Sequence, residues 1–244
     1  MTKRVQKISY SIKANKNLMQ PVRKIIKSSR SLRGSHPSTK TGQLVQLESA
    51  LERDFCCLLE FDSAVLSYVE QPVTIEYKLE GRLRRYTPDF LVHYTIERSP
   101  ILAEVKYRAD LRAQWTQLKP KFRAAKHYAA AKGWEFRLYS EAQIQTPYLL
   151  NAKFLLRFCM PMTTVRPAYE LLLLEIMAQL GESTPTELVL VAFQDPDRQA
   201  ELLPVLWYLV GKGRIGCNLY QPLTMRSLVW SVDNSSALFA YGQD

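Results

Sequence analysis

Two short segments, residues 87–90 (TPDF) and 103–106 (AEVK), constrain the fold of this chain more than any other part of the sequence. Both lie in stretches of aromatic, β-branched or alternating residues that are typical of β-strands. Alternation places Glu104 and Lys106 on one face of their strand, and a hairpin would bring Asp89 beside them. The sequence therefore predicts that two carboxylates and a lysine meet at one point.

Such a group of charges is costly unless something compensates it. Carboxylates that lie close together raise each other's pKa, and burial adds a desolvation cost. A divalent cation removes that cost, and carboxylate oxygens are the ligands that Mg²⁺ prefers. Lys106 could then position or deprotonate an attacking water. The alternative is a solvated hairpin on which Glu104 and Lys106 pair across the outer face.

Basic residues flank both segments. Arg82, Arg84 and Arg85 come just before the aspartate segment, and Arg108 follows Lys106 closely. Cations around a carboxylate cluster suit a site that holds metal and phosphate together. Arg84 and Arg85 are therefore candidate phosphate contacts.

A third carboxylate lies upstream, in a segment that is typical of a helix. Residues 47–60 carry apolar side chains at helical spacing, and Leu44 and Leu47 extend that apolar face backwards. Glu48 and Glu52 are one turn apart and share a side of this predicted helix. We expect Glu48 to face solvent, and we take Glu52 as a candidate for the site.

The order of elements around these residues predicts a mixed α/β domain. From Val73 we expect three antiparallel strands, the second over residues 83–95, then a helix over residues 111–132 that Pro120 could kink or divide, and a strand over residues 134–139 parallel to the strand of Glu104. Helix, three strands, helix, strand is the core order of restriction-endonuclease-like folds. The expected inner face of the long helix carries Trp115, Leu118, Phe122, Ala125 and Ala129. Its basic residues, Lys119, Lys121, Arg123 and Lys126, are more typical of a solvated face than of a DNA contact, and we leave them unassigned.

The charge of the chain is concentrated at its N-terminal end. Residues 1–47 hold eleven Lys or Arg and no acid, whereas the rest of the chain is nearly neutral. We predict a basic arm over residues 1–40 that contacts nucleic acid, with a solubility tail as the alternative. No apolar run is long enough to span a bilayer, and the four cysteines lack metal-ligand spacing, so we expect free thiols and a reducing, cytoplasmic location in a bacterium.

The C-terminal part has its own pattern. After a predicted nuclease domain over residues 41–150 and a linker over 151–165, residues 166–244 show three apolar helices followed by two short strands. Thr184 and Pro185 are expected to begin the second helix. This order is winged-helix-like, and such domains bind DNA or proteins. Residues 166–244 hold nine acids and five basic residues, which favours a protein partner.

Several motifs taken in order resemble one family. Residues 49–52 (SALE), 70–72 (EQP), 85–92 (RYTPDFLV) and 104–106 (EVK) are similar to TnsA, the endonuclease subunit of heteromeric cut-and-paste transposases of the PD-(D/E)xK superfamily. The resemblance is strong over roughly residues 40–140.

The resemblance implies a Mg²⁺-dependent DNA endonuclease, with Mn²⁺ as a substitute, that cuts the non-transferred 5′ strand at transposon ends. It maps the family's catalytic residues onto Glu52, Asp89, Glu104 and Lys106, with the three carboxylates as metal ligands. Gln71 would orient a carboxylate or phosphate, although an ordinary turn amide fits it equally well. The implied partners are duplex DNA, a TnsB-type DDE transposase and a TnsC-type AAA+ ATPase. The alternatives are a non-catalytic adaptor of a mobile-element complex and a restriction-type nuclease that acts alone.

Overall fold

The computed structural model describes residues 10–11, 34–95, 98–159 and 167–232. Most of the basic arm predicted over residues 1–40 lies outside these ranges. Its last part is folded, because Gly34–Pro37 forms a strand and the side chains of Ser38 and Thr39 donate hydrogen bonds to Glu60. The chain divides into two units, Met1–Ile144 and Gln145–Asp244. Within the described residues, no helix is both long and apolar enough to cross a membrane.

Among its described residues, the first unit contains two long helices, three sheets and a one-turn helix at its end. Its elements in chain order are β1 (Tyr10–Ser11), β2 (Gly34–Pro37), β3 (Leu44–Leu47), α1 (Ala50–Phe61), β4 (Val65–Glu70), β5 (Ile75–Leu79), β6 (Arg82–Tyr86), β7 (Phe90–Tyr94), β8 (Ile101–Val105), α2 (Arg108–Ala131), β9 (Glu135–Tyr139) and α3 (Glu141–Ile144). A central sheet has the order β4-β7-β8-β9, a second has the order β1-β5-β6, and β2 pairs with β3.

The central sheet carries the predicted motif. Strands β7 and β8 pair antiparallel, and β8 pairs parallel with β9, as the sequence predicts. Strand β4, on the other side of β7, was not predicted. One apolar core joins β5 and β6 to the inner face of α2, with Leu91 and Leu102 of the central sheet in the same cluster. Phe55 of α1 packs against Phe90 and Tyr139.

Three predicted elements differ in their bounds. The strand expected over residues 83–95 is two strands, because the chain leaves the sheet of β6 at residues 87–89 before it enters the central sheet as β7. Helix α2 runs from Arg108 to Ala131 without division at Pro120, and Trp115 on its expected inner face is 46% exposed. Helix α1 begins after Ser49, so Leu44 and Leu47 belong to a strand and Glu48 precedes the helix.

The start of α1 has a local cause. The Ser49 hydroxyl accepts a hydrogen bond from the backbone N–H of Glu52, which is the usual role of an N-cap serine. Upstream of this cap, Val45 and Leu47 are buried while Leu44 and Gln46 are exposed. That two-residue alternation is typical of a strand, and it overrides the helical spacing of the leucines.

The second unit has four helices and a three-stranded antiparallel sheet among its described residues. Its elements are α4 (Pro147–Cys159), α5 (Pro167–Leu180), β10 (Glu182–Ser183), α6 (Pro185–Ala192), α7 (Pro196–Gly211), β11 (Ile215–Cys217) and β12 (Val229–Ser231), with strand order β10-β12-β11. Thr184 caps α6 in a capping box with Glu187, as predicted for its start. The short strand β10 was not predicted.

Helix α4 corrects the expected linker over residues 151–165 in the part that is described. Asn151 on this helix is 5% exposed, and its amide donates to the carbonyls of Leu219 and Gln221 and accepts from the N–H of Leu223. Because this amide holds the loop between β11 and β12, α4 is an integral part of the second unit. The boundary between the units therefore lies at residues 144–145.

Candidate active site

Asp89 lies where the chain enters the central sheet. Its backbone N–H donates to Ala103 at 3.1 Å, and its carbonyl accepts from the N–H of Gln71 at 2.7 Å. Its carboxylate oxygen Oδ2 accepts a 2.7 Å hydrogen bond from the N–H of Val105. The regular pairing of β7 with β8 begins one residue later, at Phe90 and Ala103, and the hairpin brings the carboxylates of Asp89 and Glu104 within electrostatic range of each other.

Glu104 is 3% exposed and is held by two donors. The hydroxyl of Tyr86 donates to Oε2 at 2.5 Å, and the ammonium of Lys121 donates to Oε1 at 3.0 Å. The same ammonium lies 4.6 Å from the centre of the Tyr86 ring. Lys121, which the sequence left unassigned, therefore compensates the charge of Glu104 from helix α2.

Glu52 lies in the first turn of α1. Its Oε1 accepts from the Ser49 hydroxyl and its Oε2 from the backbone N–H of Glu48, both at 2.8 Å. The pKa of Glu52 is raised, mainly because burial disfavours its charged form, and the charges of Glu48 and Glu104 raise it further. The carboxylate of Glu52 thus binds the two residues that precede the helix, and it also lies within electrostatic range of Glu104.

The three carboxylates act on one another. Burial raises the pKa of Asp89 well above its usual range, and the negative charges of Glu104 and Glu52 add to this effect. Mutual repulsion of this kind is the condition that a divalent cation relieves, and carboxylate oxygens suit Mg²⁺. The chemistry of this donor set therefore fits the metal.

The donors are not yet arranged around a metal. In the described parts of the chain, no three Asp, Glu, His or Cys side chains form a group that could hold an ion. Each oxygen of Glu52 and Glu104 accepts one hydrogen bond from a protein donor. A carboxylate oxygen keeps a second lone pair after accepting one hydrogen bond, so these bonds do not exclude a cation.

The remaining predicted residues lie around this group. The backbone N–H of Lys106 donates to Tyr139 just beyond β8, and its ammonium forms no ion pair among the described residues. Arg85 is paired with Glu76 across the β5–β6 hairpin at 3.1 Å. Arg84 is exposed and has no such pair within the described ranges. The charge of Arg84 is therefore more available to a phosphate than that of Arg85.

Gln71 and Glu48 lie closer to the site than the sequence indicated. Gln71 is 8% exposed, and its amide nitrogen donates to Oε1 of Glu48 at 3.2 Å. Glu48, which we expected to face solvent, is half-buried and touches both Gln71 and Glu52. The solvent-facing interpretation of Glu48 is wrong because α1 begins one residue after Ser49, which leaves Glu48 at the entrance to the helix.

Sequence reasoning missed Lys121 and Tyr86. A signal for Lys121 was present, because it lies three residues after Leu118 and four before Ala125, which are both buried on the inner face of α2. Tyr86 is the one buried residue of β6, at the end of four exposed ones. The pairing of both side chains with Glu104 depends on tertiary contacts that no local spacing specifies.

The comparison with protein families agrees with this geometry. Residues 62–141 match the model of a family described as TnsA-like endonuclease N terminal. These residues are therefore similar to the N-terminal domain of TnsA-like endonucleases. A search of curated proteins finds no match to the chain.

The matched segment contains most of the candidate site. Asp89, Glu104, Lys106 and Gln71 lie within the matched residues, as does Lys121 of α2. Glu52 precedes them, and its place beside the site comes from the packing of α1. The match is to the same family that the sequence motifs resemble.

Proposed function

We propose that this protein is the metal-dependent endonuclease of a heteromeric transposase, which cuts the non-transferred 5′ strand at transposon ends by hydrolysis of a phosphodiester bond. The observation that supports this most strongly is the half-buried Asp89, whose pKa is raised by desolvation and by the charges of Glu104 and Glu52, in a segment similar to TnsA-like endonucleases. Strongly perturbed carboxylates gathered at one point are typical of catalytic centres. The proposed location is the bacterial cytoplasm.

Each side chain has a proposed role. Asp89 and Glu104 would hold Mg²⁺ or Mn²⁺, with Glu52 completing the set directly or through a water. The bound cation would polarise the scissile phosphate and stabilise the leaving 3′ oxygen. Lys106, whose ammonium is not engaged in an ion pair within the described residues, would orient the attacking water. Arg84 would contact a neighbouring phosphate.

The second unit would serve a different purpose. Residues 166–244 hold nine acidic and five basic residues, which disfavours independent binding to DNA. Its element order is consistent with the predicted winged-helix arrangement, and Leu171, Leu190 and Val191 expose apolar side chains on α5 and α6. We assign this unit to contact with a TnsC-type ATPase or a TnsB-type DDE transposase.

Cleavage of a labelled transposon-end duplex tests the enzymatic proposal. With the partner transposase and Mg²⁺ present, the wild-type protein should cut the 5′ strand, and Asp89→Asn should lose this cut while the partner still cuts the 3′ strand. Asp110→Asn is the matched control, because Asp110 is exposed on α2. Cleavage by Asp89→Asn at the wild-type rate would contradict the assignment. Cutting of any duplex without the partner would instead indicate a nuclease that acts alone.

Binding of purified partners tests the role of the second unit. The full chain should retain the ATPase or the transposase in a pull-down, and replacement of Leu190 and Val191 by serine should weaken that retention without affecting duplex binding in a gel shift. Loss of duplex binding with retention of both partners would identify this unit as the DNA-recognition domain.

A further inference from the structure

Gln71 has an unusual backbone conformation next to the candidate site. Its φ angle is +46°, in the left-handed region that side chains other than glycine, asparagine and aspartate rarely adopt. It also precedes Pro72, and a residue before proline is ordinarily extended. Residues held in such conformations cluster at functional sites, where the surrounding structure keeps them in place.

Two hydrogen bonds fix the position of Gln71. Its backbone N–H donates to the carbonyl of Asp89, and its amide nitrogen donates to Glu48. The carboxylate of Glu48 can only accept a hydrogen bond, so the end of the Gln71 amide that faces it is the nitrogen and the other end is the oxygen Oε1. The N–H of Glu48 in turn binds the carboxylate of Glu52. Gln71 therefore connects the segment of Asp89 with the segment of Glu52.

The amide oxygen Oε1 of Gln71 has no hydrogen-bond partner among the described residues. Oε1 of Gln71 is buried, and among the described residues no donor reaches it. Buried acceptors are almost always satisfied in folded proteins, so this atom requires a donor from outside the chain. The residues to which Gln71 is bonded are acidic: Glu48 through the amide nitrogen and Asp89 through the backbone, with Glu52 bonded to Glu48 in turn.

We infer that Oε1 of Gln71 accepts a hydrogen bond from a water bound to the divalent cation at Asp89. Gln71 is then a positioning residue, which holds a ligand water of the cation and fixes Glu48 and Glu52 behind it. This inference rests on the proposed function, because it requires a cation at the carboxylate group. A water bound to a cation is a strong hydrogen-bond donor, and Oε1 is the acceptor of this buried amide that lacks a donor among the described residues.

Mn²⁺ titration of the metal-free full-length protein, without DNA, tests this inference by calorimetry. Gln71→Gly removes the amide and relieves the left-handed backbone, while Gln71→Met keeps the length of the side chain without its polar atoms. Both variants should bind Mn²⁺ about 10–100-fold more weakly than the wild type. Glu80→Gly is the matched control, because Glu80 is the other non-glycine residue with positive φ in the described chain, and it should bind Mn²⁺ normally.

Thermal unfolding of the metal-free proteins separates this role from a structural one. Gln71→Gly should unfold at or above the wild-type temperature, since glycine adopts positive φ without strain. Weaker Mn²⁺ binding in a variant that is no less stable identifies a role toward the cation.

Two results would overturn the inference. Wild-type affinity for Mn²⁺ in Gln71→Gly would mean that Oε1 binds an ordinary buried water only. Normal Mn²⁺ binding with loss of duplex binding in Ca²⁺ would mean that Gln71 contacts DNA instead. If Asp89→Asn loses Mn²⁺ while Gln71→Gly does not, the inference fails and the proposed function stands. If the wild type takes up no Mn²⁺, both fail.

Discussion

Replacement of Lys121 by methionine should destabilise the metal-free protein strongly. The variant removes the ammonium that pairs with Glu104, whose side chain is only 4% exposed, while the methionine stem still packs on Tyr86 and Phe122. Breaking a buried ion pair by removing one partner costs about 3–5 kcal/mol. Lys121 is 21% exposed and Tyr86 still donates to Glu104, so we expect a loss of about 2–3 kcal/mol.

Urea unfolding in the presence of a chelator measures this loss. For an unfolding slope of about 2–3 kcal/mol per molar urea, the midpoint of the transition should fall by about 1 M. Lys119→Met is the control on the same helix, because Lys119 is exposed, and it should remain within about 0.5 kcal/mol of the wild type.

A double-mutant cycle assigns the effect to Glu104. In a Glu104→Gln background no buried charge remains for Lys121 to compensate, so Lys121→Met should cost less than about 1 kcal/mol there. An equal loss in both backgrounds would show that Lys121 stabilises the protein through packing alone. A loss below about 0.5 kcal/mol in the wild-type background would refute the charge compensation itself.

Three further predictions concern other parts of the chain. The pKa of Asp89 is raised above its ordinary value of 3.8, so the folded state binds extra protons, and the stability that this contributes at low pH is lost as the pH rises. The melting temperature of metal-free Asp89→Asn, relative to that of the wild type, should therefore increase with pH. Parallel pH profiles of the two melting temperatures would contradict this. Asn151→Ala leaves two buried carbonyls and one N–H without their partner and should destabilise the second unit by about 2–4 kcal/mol in urea unfolding, whereas a loss below about 0.5 kcal/mol would disprove its role in holding that loop. Deletion of residues 1–30, which are basic and contain no acid, should flatten the dependence of duplex affinity on salt because fewer phosphate counterions are released, and an unchanged slope would exclude the arm as a DNA contact.

The main features of the first unit could be predicted from local patterns. Alternation and turn residues specify the β7–β8 hairpin that brings Asp89 within electrostatic range of Glu104, and the helix between β8 and β9 accounts for the parallel pairing of these two strands. Both features depend on residues close together in the sequence. The same holds for Thr184, whose cap on α6 uses residues within one helical turn.

The errors arise where tertiary contacts override local patterns. Helical spacing extended α1 back through Leu47, whereas the Ser49 cap and pairing with β2 make that segment a strand. Part of the linker expected over residues 151–165 is a packed helix, because the buried amide of Asn151 binds the loop between β11 and β12. The left-handed conformation of Gln71 and the pairing of Lys121 with Glu104 both depend on residues distant in sequence, which single-sequence reasoning cannot bring together.

The most direct test of the central claim, that the carboxylate group around Asp89 holds a metal that acts on the scissile phosphate, uses a phosphorothioate substrate. Sulfur replaces one non-bridging oxygen at the cleavage position on the 5′ strand of a transposon-end duplex, and cleavage is measured with the partner transposase present. Sulfur is a poor ligand for Mg²⁺ and a better one for softer Mn²⁺. We expect one sulfur stereoisomer to be cut slowly in Mg²⁺ and to recover in Mn²⁺, with no cleavage by Asp89→Asn in either metal. Equal cleavage of the oxygen substrate and both sulfur stereoisomers in Mg²⁺ would contradict the account.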